Sequence, residues 1–408
     1  MRWIPLLLLL FFIDWYVFLG VRALVQSWSA PWKQMTTGLY WSMPVLLLLT
    51  LGIYLGTNWS EQHKHLFTFL RTFLFIVYLA KAFAAIPLLV DDLRRTLLWS
   101  WSQVRAEAPT DLSRSRFLSQ AGMLLGGIPL VLLTYGMIRN PYRYKLFREK
   151  IRIPDLPDDL RGLRIVQISD IHSGSFTLED PVEDAIALIN AQKADLVFFT
   201  GDLVNEVADE MEGFRDVFRR IRGRLGVFSV LGNHDYGDYA EWPSAEAKAE
   251  NLERLKQIHS EMGWDLLLNE HRQVQIGRAQ LGIIGVENYS AHPRFPKYGD
   301  LEAACRGCGN ADVQLLLSHD PSHWMEQVVP DFPDIDITFS GHTHGMQFGV
   351  EIPGWVKWSP IQYVYEQWAG LYQQGQQYLY VNRGLGFIGY PGRVGILPEI
   401  SLIELERA

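Results

Sequence analysis

The sequence predicts an α/β domain preceded by an all-α bundle of four membrane-crossing helices. Three observations carry this expectation. Four long apolar stretches crowd into the first 140 residues. After them come five short β-branched and apolar runs, each closed by Gly, Ser or Asn. Between the two lie residues 141–161, which carry three prolines and many charges and read as a linker. The expected division is therefore a transmembrane region over 1–140, a linker over 141–161 and the α/β domain over 162–408.

The apolar stretches are residues 3–24, 36–56, 66–90 and 117–138. Each is near the ~20 residues that a helix needs to cross a bilayer, and Trp and Tyr gather near several of their ends, as in interfacial belts. The first reads as a retained helix and not as a cleaved signal peptide. It is too long, carries Asp14 in its middle and lacks an Ala-x-Ala-like site. Asp14 and Lys81 both fall inside spans, where an unpaired charge is costly. Two readings are open: the two residues pair and lock the first span to the third, or each faces a wet surface. The chain is thus expected to be an integral protein of the cell membrane. Arg139, Arg143, Lys145, Arg148, Lys150 and Arg152 come after the fourth span and favour a cytoplasmic α/β domain. Arg94, Arg95, Arg105, Arg114 and Arg116 between the third and fourth spans pull the other way, unless that segment is an interfacial helix.

The five runs cover residues 163–168, 195–200, 226–231, 313–317 and 335–339. Their length and branching read as buried strands. Polar strings stand directly after them. Asp170 and His172 stand in Ser-Asp-Ile-His, and Asp202 in Thr-Gly-Asp. Asn233, His234 and Asp235 stand in Leu-Gly-Asn-His-Asp. His319 stands in Leu-Ser-His-Asp-Pro, and His342 and His344 in Ser-Gly-His-Thr-His-Gly. Ligands collect outside the carboxyl ends of strands in an α/β sheet, so five such ends point to one shared site.

The residue types fit a metal centre. A carboxylate such as Asp202 has two oxygens and can bridge two cations. Asp170 with His172, and His342 with His344, are each offset by two, which lets a tight turn aim both at one ion. Asn233 offers a neutral carbonyl oxygen and leaves the site less negative for an anionic substrate. No Cys takes part, so the donors are nitrogen and oxygen only, which suits Mn, Fe, Zn or Mg. Two ions roughly 3.5–4 Å apart can clamp a phosphate and activate a water for in-line attack. His234 carries no metal in this reading and is the natural general acid, with Asp235 to orient it. Each string alone is weak evidence; all five in order at strand ends are specific.

These strings resemble the calcineurin-like metallophosphoesterase family, over roughly residues 163–405. The segment Val381-Asn382-Arg383-Gly384-Leu385-Gly386, then Pro391-Gly392-Arg393 and Leu397-Pro398-Glu399-Ile400, resembles its membrane-associated YkuE-like and YaeI-like branch. The resemblance implies a four-layer α/β/β/α sandwich and two divalent ions. Asp170, His172, Asp202 and His344 would hold one; Asp202, Asn233, His319 and His342 would hold the other. One departure is Met346 in Gly345-Met346-Gln347, where Gly-Gly-Gln is commoner.

On the substrate side, residues 348–372 hold Phe348, Trp355, Trp358, Tyr363, Tyr365, Trp368 and Tyr372, interrupted by Pro353, Gly354 and Pro360. They are expected either to form an aromatic lip for the apolar part of a lipid substrate, with Trp355 and Trp358 in contact with it, or to pack into the domain core or onto the membrane helices. Arg383 and Arg393 are candidates for phosphate oxygens, or else salt-bridge partners. The net charge of −8 argues against a nucleic-acid partner. Cys305 and Cys308 are too few for a four-ligand zinc site and read as a reduced loop pair. Asn58-Trp59-Ser60 matches a glycosylation sequon and reads as chance.

The expected function is metal-dependent hydrolysis of a phosphodiester, pyrophosphate or phosphomonoester, with a lipid or glycolipid head group as one option for what carries it. The resemblance names a nucleotide-sugar lipid such as UDP-diacylglucosamine as one option. The alternative is a membrane scaffold with a retained but idle metal fold.

Overall fold

The computed structural model describes residues 4–57, 59–105, 113–309 and 311–408. Trp3 of the first expected span and Asn58 of the sequon lie outside the described residues. The chain divides into two compact units, Met1–Gly136 and Met137–Ala408.

The first unit is helical: α1 (Ile4–Val25), α2 (Ala30–Gly56), the short α3 (Trp59–Gln62), α4 (Lys64–Arg105) and α5 (Arg116–Arg139). Four of these are long and apolar enough to cross a membrane. The third expected span is only the first part of α4. Its 42 residues extend about 63 Å at 1.5 Å each, twice the ~30 Å of bilayer hydrocarbon. Arg94, Arg95 and Arg105 therefore ride on a helix that continues past its apolar run, where the sequence suggested a loop.

Inside the bundle Asp14 and Lys81 pair, so the first of the two readings holds. The Lys81 ammonium meets the Asp14 carboxylate, which is fully buried. Tyr78 Oη donates to Asp14 Oδ2 at 2.9 Å, and the Tyr40 ring lies 4.5 Å from Lys81 Nζ. Two charges that lipid would penalise singly thus meet their partners between helices. On α5, a Cβ on Gly122 would sit 2.7 Å from the Ala84 carbonyl oxygen, and one on Gly126 would sit 2.5 Å from that of Ala80. Only glycine allows this approach, the small-residue packing typical of helices in lipid.

The second unit is built on two six-stranded sheets. The first runs β1-β14-β2-β3-β4-β5, from β1 (Lys145–Ile153), β2 (Arg164–Ile168), β3 (Leu196–Phe199), β4 (Gly226–Ser229), β5 (Asp265–Leu266) and β14 (Glu399–Arg407). The second runs β12-β13-β9-β8-β7-β6, from β6 (Glu270–Ile276), β7 (Ala279–Gly285), β8 (Val313–Leu317), β9 (Ile337–Ser340), β12 (Gly370–Gln374) and β13 (Gln377–Val381). A separate hairpin joins β10 (Val350–Ile352) to β11 (Val356–Trp358). Alternation along the strands sets the layers. Leu196 and Phe198 of β3 face the core between the sheets with Leu315, Leu317, Ile337 and Phe339. Val197 and Phe199 face outward, against α6 (Asp180–Ala191), α7 (Arg215–Phe218) and α8 (Ala245–Met262). Leu316 and Leu379 face short helices on the far side of the second sheet. This period of two yields the four-layer α/β/β/α sandwich.

The segment 141–161 is not simply a linker, since the nine residues of β1 lie inside it and pair in parallel with β14. Its charges obscured the strand because β1 is an edge strand with most side chains in water. Only Ile151 and Ile153 are fully buried, while Lys150 pairs with Glu406 on β14.

Candidate metal centre

The five runs expected as strands are β2, β3, β4, β8 and β9. β2, β3 and β4 are mutually parallel neighbours in one sheet, and β8 and β9 are parallel neighbours in the other. The site therefore spans the carboxyl ends of two sheets. Its turns are laced together: Asp170 N–H donates to the Gly201 carbonyl (2.9 Å), His172 N–H to that of Asp202 (3.1 Å) and Gly341 N–H to that of His319 (2.9 Å).

Asp170, His172 and His344 form one buried group, and Asp202, His319 and His342 a second, with the donor atoms of each group within 4.8 Å of one another. Asp202 joins the groups. Its Oδ2 lies 3.1 Å from His319 Nε2 and 3.5 Å from His172 Nε2. Asn233 Oδ1 faces the second group, 3.1 Å from His319 Nε2 and 2.8 Å from His342 Nδ1. All seven residues expected as ligands are thus brought together. Five of them have left-handed backbone: Asp170 (φ 51°), His172 (48°), Asp202 (59°), His342 (70°) and His344 (51°). A side chain with a Cβ rarely accepts this conformation, and such strain collects at functional sites.

The donor set fits divalent cations. His172 Nε2 and His344 Nε2 approach to 3.1 Å, and the buried His172 Nδ1 has no hydrogen-bond partner. Donor atoms that share one ion at about 2.1 Å lie about 3 Å apart when at right angles, close to the separations found here. Charge agrees. Burial works against ionised Asp202, yet the His319, His234 and His172 rings hold its carboxyl well below the usual range. Burial likewise lowers His319, but Asp202 more than offsets it and pushes His319 up to about 10. A cation would take the place of that shared proton.

Neighbouring groups orient the donors. His319 Nδ1 lies 2.7 Å from the Thr200 carbonyl, to which it donates when Nε2 is the ligand atom. Asn233 Nδ2 donates to Tyr239 Oη at 3.0 Å, which turns its oxygen toward the centre. His342 Nε2 lies 2.8 Å from Tyr365 Oη, and Tyr365 in turn donates to Asp320 Oδ2 at 3.2 Å. Such outer partners fix ring orientation at metal sites. The sequence alone does not single out Tyr239, Tyr365 and Asp320 as site residues. Asp320 comes directly after His319, but its role depends on a tyrosine 45 positions away.

His234 is half-buried, with its Nδ1 2.7 Å from the Asn205 carbonyl and its ring 5.0 Å from that of His172. Asp235 does not orient it. Its carboxylate instead accepts the backbone N–H groups of Asp202, Leu203, Val204 and Gly232, and so clamps the bridging loop. Burial, then Asp202, raises the Asp235 carboxyl to about 7.

Both arginines are engaged within the protein, and Arg383 takes the salt-bridge alternative of its two readings. Arg393 is fully buried and donates to the carbonyls of Arg383 (2.8 Å) and Gly384 (3.0 Å), with Nη2 3.4 Å from His344 Nδ1. Arg383 is buried too, bonded to Glu399 and, at 2.6 Å, to Glu351. Both hold the loop behind the centre and neither has a fork left for a phosphate. The aromatic segment divides: Tyr365, Trp368 and Ala369 pack inward, Trp358 is half-buried beside Phe348 (6.5 Å), and Trp355 and Tyr363 are each 78 % exposed. Met346, at φ 55°, takes a conformation in which Gly would be unstrained, and it is exposed.

The two-sheet sandwich with joined His and carboxylate groups at its strand ends has the architecture of a metallophosphoesterase. Residues 163–346 match the calcineurin-like phosphoesterase family, and residues 1–141 match a family described as probable calcineurin-like phosphoesterase, transmembrane domain. The chain thus carries a domain of the calcineurin-like phosphoesterases, a family of phosphate-ester hydrolases, together with a membrane domain described for that family. It is 30 % identical over 290 residues to the transmembrane protein with metallophosphoesterase domain of Danio rerio, covering 69 % of this chain and 62 % of that one. It thus spans less than two thirds of that relative. It is 28 % identical over 301 residues to the metallophosphoesterase YkuE of Bacillus subtilis, covering 72 % of this chain and 98 % of that one. With the phosphodiesterase YaeI of Escherichia coli it shares 26 % over 274 residues, 65 % of this chain and 90 % of that one.

Proposed function

We propose that this chain is a membrane-anchored, two-metal hydrolase of a phosphodiester, pyrophosphate or phosphomonoester on a lipid or glycolipid head group. The supporting observation is the pair of buried donor groups joined through Asp202 Oδ2. Asp170, His172, Asp202 and His344 would hold one divalent ion, and Asp202, Asn233, His319 and His342 the other. Bound there, the ions supply charge that neutralises the phosphate and activates a water. His234 stands beside the centre without a ligand role and protonates the leaving oxygen.

The lipid part of the reading rests on the exposed side chains near the hairpin. Met346, Phe348, Val350, Ile352, Trp355 and Tyr363 are all exposed, and the segment starts just after His344. An exposed apolar patch of this kind marks an interaction site, here for the apolar tail of the substrate. A head group such as that of UDP-diacylglucosamine fits the scheme. The test compares a soluble aryl diester, bis-p-nitrophenyl phosphate with Mn²⁺, against extracted membrane lipids. Trp355→Ser with Tyr363→Ser should leave the aryl diester rate within about twofold and lower lipid hydrolysis by about tenfold. Equal losses on both substrates would remove the lipid assignment; no hydrolysis of either by metal-loaded wild type would favour an idle scaffold.

The membrane face is read from basic residues. Of the six basic residues after the fourth span, Lys145, Arg148, Lys150 and Arg152 belong to β1 and only Arg139 and Arg143 stand at or just past the end of α5, which weakens the expected cytoplasmic placement. Arg22, Lys33, Arg94, Arg95, Arg105, Arg114 and Arg116 flank the end of the helices from which α5 starts. The positive-inside tendency therefore favours a catalytic unit on the non-cytoplasmic side. Arg278, whose side chain is 96 % exposed, is a reporter: Arg278→Cys, with both native cysteines changed to serine, should react with an impermeant maleimide on intact cells. Labelling only after lysis would restore the cytoplasmic placement.

A further inference from the structure

At one end of the helical unit lies a cavity of about 690 Å³, lined by Phe18, Leu19, Arg22, Lys33, Arg95 and Arg114 among others. Helix pairing explains why they meet. Gly20 of α1 abuts Leu88 of α4, and Asp14 abuts Lys81, so α1 and α4 run in parallel. Tyr40 of α2 reaches back to the Asp14 carbonyl, so α2 runs against α1. Gly122 and Gly126 of α5 abut Ala84 and Ala80, so α5 runs against α4. The end of α1, the start of α2, the later part of α4 and the approach to α5 therefore share one end of the bundle.

Four cations line this cavity. Asp92 is the acid that holds two of them: Arg95 Nη1 donates to its Oδ1 at 2.8 Å, and Arg114 Nη2 at 3.1 Å. Tyr16 Oη donates to the other carboxylate oxygen at 2.6 Å. Arg114 is held rigidly, with its side chain 11 % exposed, yet its Nη1 is buried without a hydrogen-bond partner. Among the described residues, Arg22 and Lys33 form no ion pair. A buried guanidinium nitrogen lacking an acceptor is costly, and it sits beside further positive charge.

The depth of the cavity indicates its ligand. Trp28 between α1 and α2, Trp32 at the start of α2, and Trp99 and Trp101 on the later part of α4 belong to the same end, each about half exposed, as in an interfacial aromatic belt. Phe18 and Leu19 form an apolar wall and Arg22, Lys33, Arg95 and Arg114 a cationic one. A phosphate with apolar chains below it matches both walls, and Arg forks suit phosphate oxygens. We propose that this cavity binds a phosphate-bearing anion, the head group of an acidic phospholipid, at a site separate from the metal centre.

The test uses the full chain in nanodiscs of equal phosphatidylglycerol and phosphatidylcholine, with retained lipid read by native mass spectrometry. Wild type should retain phosphatidylglycerol over phosphatidylcholine by about tenfold. Arg114→Gln should remove the preference but also disturbs the Asp92 pair. Arg22→Gln with Lys33→Gln breaks no observed ion pair and should reduce the preference to about unity with helicity unchanged. Absence of a preference in wild type, or its survival in the double variant, overturns the proposal. A second arm adds millimolar inorganic phosphate to detergent-solubilised protein and follows thermal unfolding. Stabilisation of wild type by phosphate, without lipid enrichment, would overturn the lipid as its source.

Discussion

Asp202→Asn is expected to remove bound metal and hydrolysis together. The carboxylate lies between the two donor groups, with Oδ2 3.1 Å from His319 Nε2 and 3.5 Å from His172 Nε2. Its other oxygen accepts the His234 backbone N–H at 2.8 Å. Asparagine has nearly the same shape but no charge. It would present either one neutral oxygen or an NH₂ group to the cations, and it would leave the surrounding histidines without their counter-charge. The rate on bis-p-nitrophenyl phosphate should fall by at least about 10³-fold, and metal analysis should show less than half the wild-type content. The fold should persist, because the loop is still clamped by Asp235 through the N–H groups of Asp202, Leu203 and Val204. Full metal content and activity in a folded variant would remove Asp202 from the bridging role.

His234→Ala separates acid catalysis from metal holding. The ring is half-buried, edge-on to His172 at 5.0 Å and tilted against Tyr239 at 4.7 Å. Its Nδ1 lies against the Asn205 carbonyl at 2.7 Å, which leaves Nε2 as the ring atom able to pass a proton to substrate. Metal content should match wild type, while the rate falls by about 10²–10⁴-fold. The loss should depend on the leaving group. p-Nitrophenolate departs with little help, so an alkyl diester should lose more than the aryl diester. Equal losses on the two would show that His234 does not act as the acid, and loss of metal would place it among the ligands.

Much of the centre was legible because its residues end short apolar runs. A strand that must bury both faces leaves a plain hydrophobic signature, and the polar residue after it stands out. That local rule located Asp170, His172, Asp202, Asn233, His234, His319, His342 and His344, which the structure gathers across two sheets. The rule failed where one face of an element is wet. Strand β1 reads as a charged linker because Lys145, Arg148, Lys150 and Arg152 lie on a sheet edge. The length of α4 was also hidden, since its apolar run stops while its hydrogen-bonded helix continues to Arg105.

Side-chain roles set by distant partners were not legible. Arg383 and Arg393 have the chemistry of phosphate forks, but Glu399, Glu351 and the carbonyls of residues 383–386 occupy them. Tyr365 is one aromatic among seven until its hydroxyl is seen against His342 and Asp320. Trp355 at the hairpin turn and Tyr363 beyond it are exposed while Trp368 is buried, a difference that only the path of the chain sets.

By itself the sequence determined the four apolar helices, the five buried strands and the types of donor at their ends, because each comes from local periodicity and residue chemistry. The tertiary structure decided which charges are already used. Asp14 is matched to Lys81, Arg393 is held behind His344, and Arg114 keeps a nitrogen unpaired. Such pairings depend on atoms that are close in space but far apart in the chain, and no local pattern encodes them.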